Sequence, residues 1–231
     1  MSRMVYLAKV VVLFLISLTP VIAWASGGYI FDATGVVSIA ADKTIEPRPA
    51  VKNDIVASGT VIRTGDNGHA VVKFEDGQVV SMQANTTFQV REYIYDSRQI
   101  EDSSIIFSMF KGGMHFVSGQ IAKRNSQAFR LATPDATVSV HGTEFMVVMA
   151  KNATFSKVLS GSIGMTNAVG SSTISAGQTA LTLSSDTLTT KVPAASVPAA
   201  TFSEVATIPV PASIAAPLPT ATSAGVIAPA R

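Results

Sequence analysis

The 231-residue chain has no cysteine. That excludes disulfide staples, zinc–thiolate and iron–sulfur sites and thiol nucleophiles, so stability must come from a packed core. Charge is scarce too. Charged residues make up 14% of the chain, 17 Lys+Arg stand against 15 Asp+Glu, and no basic run occurs. So even a balance lacks the cationic footprint that neutralises phosphates, which excludes nucleic acid as a partner class. Aromatics are only 7%, and the single tryptophan is Trp24. Beyond residue 26 no segment sustains a capped apolar stripe of helical period; the nearest, Ile105–Phe110, is cut short by Gly112-Gly113. What remains is 47% hydrophobic residues, enough for a core.

Arg3 and Lys9 precede the apolar run Val10–Ile22, which closes on Ala23-Trp24-Ala25. A basic start, a short apolar stretch and an Ala-x-Ala site are the three parts of an export signal. The run is 13 residues long and ends near Pro20, whereas a membrane span needs roughly 20. The expectation is a cleaved signal peptide over residues 1–25, touching the membrane only transiently. The mature chain then starts at Ser26, carries 15 charges of each sign and is periplasmic or secreted. The sequons at Asn85 and Asn152 read as turn asparagines.

Residues 27–191 read as strands throughout. Val72 and Phe74 alternate on one face, Asp76-Gly77 follows, and Val80 and Met82 resume in phase, the signature of a hairpin with a type I′ turn. Similar pairs recur: Phe88 and Val90; Ile105, Phe107 and Met109; Met114 and Phe116; Val138 and Val140; Phe145 and Val147. Glycines punctuate them at short intervals. The expected class is all-β, many short antiparallel strands in a sandwich or solenoid-like stack. Composition changes at Val192: seven of 11 prolines fall in residues 192–231, amid Ala, Ser, Thr and Val. Such a tract predicts an unstructured, polyproline-like tail.

No catalytic constellation is present. His69, His115 and His141 are isolated, and Ser160-Gly161-Ser162-Ile163-Gly164 lacks the first glycine of a nucleophile elbow. Asp66-Asn67-Gly68 with Glu75 lacks the spaced carboxylates of a calcium loop. No metal, cofactor or enzymatic activity is expected. Tyr93 and Tyr95 share a strand face and are candidate ligand-facing residues for a small molecule or glycan, against a plainer reading as packing.

The order of motifs resembles the FecR domain. Ile62-Arg63-Thr64-Gly65 is similar to that family's Ile-x-Thr-Gly turn, and Asp76-Gly77-Gln78 to its Asp-Gly element between two strands. Thr86, Val90 and Tyr93 follow as in its Thr-x-x-x-Val tract and tyrosine, and Lys111-Gly112-Gly113 sits at its Leu-x-x-Gly position. Thr133-Pro134-Asp135-Ala136 and Gly142-Thr143-Glu144-Phe145 resemble its most specific signature, with His141 where arginine is usual. Val158–Ile163 and Ala176-Gly177-Gln178 are similar to its closing elements, so the resemblance runs over about residues 35–180. The physical reading of these positions is architectural. Pro134 holds Thr133 extended, and Gly142 permits a bulge that turns Thr143 and Phe145 inward. The resemblance implies a stand-alone exported FecR-domain protein without the cytoplasmic anti-sigma segment of iron-citrate-type regulators. Its expected role is non-enzymatic binding of an envelope protein, or signalling, through a sheet edge. The alternative is a small-ligand or glycan-binding domain of the envelope.

Overall fold

A computed structural model describes residues 27–42, 45–150, 153–198 and 200–211. The predicted export signal, Asn152 and the tail beyond residue 211 lie outside these. The described chain runs β1 (Gly27–Thr34), β2 (Val37–Ala40), β3 (Arg48–Pro49), β4 (Ile55–Ala57), β5 (Val61–Thr64), β6 (His69–Phe74), β7 (Val79–Met82) and β8 (Thr87–Ile94). Then come β9 (Ser104–Val117), helix α1 (Gln120–Arg124), β10 (Phe129–Ala132), β11 (Thr137–Ala150) and β12 (Ala153–Thr166). β13 (Ser171–Ser175), β14 (Thr179–Thr182), β15 (Thr190–Val192) and helix α2 (Ser203–Thr207) complete it. The fold is all-β, as the alternation predicts.

Three strands of 14 residues organise it: β9, β11 and β12. Each changes partners half-way. The second half of β9 lies between β7 and β11, while its first half pairs with β8 and, in parallel, with β10. β12 likewise pairs with β14 through its first half and with β13 through its second. Each long strand also reverses the phase of its buried residues at a glycine of positive φ. In β9, Phe107 and Met109 give way to Met114 and Phe116 across Gly112; in β11, Val138 and Val140 give way to Phe145 and Val147 across Gly142; in β12, Val158 gives way to Ile163 across Gly161. A bulged strand can thus leave one sheet layer and enter the other while presenting apolar residues to the same core.

The rings of both layers meet inside. Phe107 lies 5.0–5.8 Å from Phe74, Phe88 and Phe129, and Phe116 stacks on Phe145 at 4.9 Å. Gly142 (φ +60°) and Gly161 (φ +74°) face each other across the β11–β12 hairpin, and a Cβ on Gly161 would stand 2.4 Å from the Gly142 carbonyl oxygen. No side chain fits there. Gly161→Ala should therefore cost about 2–4 kcal/mol, from left-handed strain plus displaced backbone, read as a lower denaturant midpoint at unchanged slope.

Three local features depart from the sequence reading. The Asp76-Gly77 hairpin exists, with Lys73 opposite Val79, but only Gly77 has positive φ. Gly77 N–H donates to the Phe74 carbonyl, so the connection is a type I turn closed by a left-handed glycine rather than type I′. Secondly, residues 118–128 include α1, because the parallel β9–β10 pair needs a crossover. Finally, the tail is not structureless from residue 192. Val205 and Ile208 are buried, and the chain from Ala200 to Pro211 crosses the outer face of the sheet.

Candidate functional site

The Asp76-Gly77 motif turns inward. Asp76 is 1% exposed, and its carboxylate accepts hydrogen bonds from Gln78 N–H (3.1 Å), the Tyr93 hydroxyl (3.1 Å) and Ile121 N–H (3.4 Å). Its backbone joins in: Asp76 N–H donates to the Tyr93 hydroxyl at 3.0 Å, and the Asp76 carbonyl accepts from Gln120 N–H at 2.8 Å. One residue thereby ties a β-turn in one layer to β8 in the other and to the start of α1. Burial pushes the Asp76 carboxyl above its usual range, the three hydrogen bonds opposing it. Burial, then the charge of Asp76, raises Tyr93 far above an ordinary phenol.

Tyr93 is 2% exposed and stacks on Phe74 at 5.0 Å, and Tyr95 packs against the same core. The expectation that Tyr93 and Tyr95 face a ligand is thus corrected: the face they share is the inner one. The physical reason is a bulge in β8 between Val90 and Glu92, which brings odd-numbered Tyr93 to the side already occupied by Phe88 and Val90.

The remaining motif residues also hold backbone. The Thr64 hydroxyl donates to the Gln83 carbonyl at 2.6 Å and accepts from Thr86 N–H at 2.8 Å, while Gly65 N–H donates to the Val36 carbonyl. Thr133 closes the turn over Pro134: its hydroxyl donates to the Ala136 carbonyl at 2.8 Å and accepts from Ala136 N–H at 3.1 Å. Past the Gly142 bulge, Thr143 is 2% exposed; its hydroxyl donates to the Ser162 carbonyl at 2.6 Å and accepts from His141 N–H at 3.1 Å. Its own N–H donates to Ser118 Oγ at 2.8 Å. His141 itself is exposed. These positions are spread over both layers and do not converge on one cleft. Among the described residues no group of three or more His, Asp or Glu side chains is placed to hold a metal.

The feature missed from the sequence is on the outside. Val71 and Val79 lie beneath Ile208 and Val210, and Met146 and Val148 beneath Phe202 and Val205. Glu204 Oε1 accepts from Ala84 N–H at 2.9 Å and fixes α2 across β9. The signal was present as the closely spaced apolar residues at 202, 205, 208 and 210. Beside the start of this strap a cavity of about 770 Å³ is lined by Val148, Met149, Phe155 and Leu183.

With this geometry in place, the chain can be set beside known families. Residues 60–164 match the family model described as FecR protein. Over those residues the chain is similar to FecR domains. The match spans the strands from β5 to most of β12 and includes Thr64, Asp76, Thr133 and Thr143, a shorter stretch than residues 35–180. Two crystal structures, at 2.50 and 1.65 Å, of a candidate anti-sigma factor from Parabacteroides distasonis ATCC 8503 are similar to it. Each is 18% identical, with a TM-score of 0.46, and the likeness covers 57% of this chain and 58% of that one. No curated protein matches the chain.

Proposed function

We propose that this chain is an exported, non-catalytic FecR-domain protein that binds another envelope protein in a signalling or regulatory role. One observation supports this reading above the others: the polar side chains of the family pattern are consumed internally. Thr64 and Thr143 bond to backbone groups of distant segments, and Asp76 and Thr133 to backbone groups that close their own turns. A domain whose recurrent polar residues build its scaffold offers surfaces to partners rather than a reaction centre to substrates. Export rests on Arg3, Lys9 and the apolar run ending at Ala25. The glycan alternative drew on Tyr93 and Tyr95, and with Tyr93 buried no observation favours it.

The test is residue-specific photocrosslinking of the full chain in intact cells, from exposed positions on β13 and β15, followed by reconstitution with the purified candidate. The expected result is one envelope protein that binds the purified chain with a dissociation constant in the micromolar range or below. Crosslinks confined to cytoplasmic proteins, or none that reconstitute, would overturn the reading.

A further inference from the structure

On the outer face of the sheet, a titratable side chain of β9 lies where an apolar one would be expected. His115 stands in β9 directly opposite Ser81 of β7 and Met146 of β11, so its imidazole shares their face. It is 6% exposed, with Nε2 3.0 Å from Glu144 Oε1 and Nδ1 buried without a partner; the Ser81 hydroxyl beside it is unpartnered as well. What closes this patch is the strap. Val205 packs on Met146 and Val148, and Glu204 reaches Ala84 just beyond β7, so α2 crosses β9 at the level of Gly113 and His115.

We propose that residues 200–211 form an acid-sensitive latch: the strap stays seated while His115 is neutral and lifts from the outer face when His115 takes up a proton. A neutral imidazole tolerates a dry site with one unpartnered nitrogen. An imidazolium carries a second N–H and a charge that need water or an acceptor, and lifting α2 admits water. The charged groups facing it are few. β11 contributes Glu144, α2 contributes Glu204, already engaged with Ala84 N–H, and β7 contributes only the Ser81 hydroxyl. Lys157 lies one strand further, opposite Met146. Burial dominates and lowers the affinity of His115 for a proton below its ordinary value of 6.5, with the Glu144 carboxylate pulling the other way.

The sign follows from linkage. A base held below its ordinary value stabilises the closed form fully above pH 6.5, and that contribution drains away as the pH falls through the buried value. Within that window one proton makes the opening constant rise by up to about tenfold per pH unit. Release uncovers Val71, Val79, Met146 and Val148 together, joining them to the cavity beside Phe155 and Leu183. The latch does not depend on the proposed partner.

The full chain lacks cysteine, so Ala206→Cys on the exposed side of α2 gives a single labelling site for an environment-sensitive dye. Titration from pH 8 to 5 should give a transition with a midpoint below 6.5, while near-ultraviolet circular dichroism of the core stays flat. His115→Gln should abolish it, and Glu144→Gln, which removes the carboxylate that eases protonation of the closed form, should move it to higher pH. Val205→Ser, which loosens the strap without touching the histidine, should move it upward. No transition in the parent, the same transition in His115→Gln, or dye and core signals moving together would each overturn the proposal.

Discussion

Replacing Asp76 by alanine should unfold the domain at ordinary temperatures or leave it barely stable. The substitution leaves Gln78 N–H, Ile121 N–H and the Tyr93 hydroxyl without their shared acceptor in a place that water does not reach. Each stranded donor costs about 1–3 kcal/mol, so the three sum to about 3–9 kcal/mol, a large part of a typical domain's 5–15. Asp76→Asn should cost markedly less: its amide oxygen still accepts from Gln78 and Tyr93, and only the bond from Ile121 is lost to a facing N–H₂. The two variants also separate packing from charge. Burial raises the Asp76 carboxyl, so proton uptake favours the folded state. Relative to Asp76→Asn, the native chain should therefore gain stability as pH falls from neutrality through the raised value, levelling off below 3.8. Urea unfolding at a series of pH values reads both effects; equal midpoints for native chain and alanine variant would refute the role given to Asp76.

The hub was half visible in the sequence. Asp76-Gly77 between Phe74 and Val80 announces a hairpin, because few dipeptides close so tight a connection. That the aspartate points inward depends on Tyr93 and α1, which come 17 and 45 residues later. Local pattern has no access to such distances. Tyr93 shows why face assignments slip: counting by twos from Phe88 places it outside, and the bulge after Val90 reverses the count. Yet in β9, β11 and β12 the reversals were written plainly as Met109 against Met114, Val140 against Phe145 and Val158 against Ile163, each astride a glycine. A change of apolar phase across a glycine marks a strand that turns a corner, where turn counting alone suggests two separate strands. The tail shows the opposite limit. Its proline and alanine content predicts no core of its own, but says nothing of whether it lies on someone else's. Val205 and Ile208 are buried because the outer face already offered Val71, Val79, Met146 and Val148.

Phe107→Ala should be the most damaging of the simple core truncations. Phe107 is fully buried in the first half of β9, and its ring touches Phe74 from one layer and Phe88 and Phe129 from the other at 5.0–5.8 Å. It is one of the contacts that join the layers, with the stacking of Tyr93 on Phe74. Removing it withdraws the transfer free energy of a phenyl group and leaves a cavity that three surrounding rings, fixed on separate strands, cannot close, for a loss of about 3–5 kcal/mol. For a domain of this size each kcal/mol lowers the melting temperature by about 2–4 °C, so a fall of roughly 6–20 °C is expected in a thermal scan. Phe107→Leu keeps most of the volume and should lose less than half as much. The placement also predicts coupling. Combined with Phe74→Leu, which lies across the layer boundary, the penalties should fall short of additivity by about 0.5–1.5 kcal/mol, since the second truncation removes part of a contact already lost. Combined with Ile208→Ala on the outer face, the penalties should simply add. Additivity in both pairs would mean that the two layers are not joined through this ring.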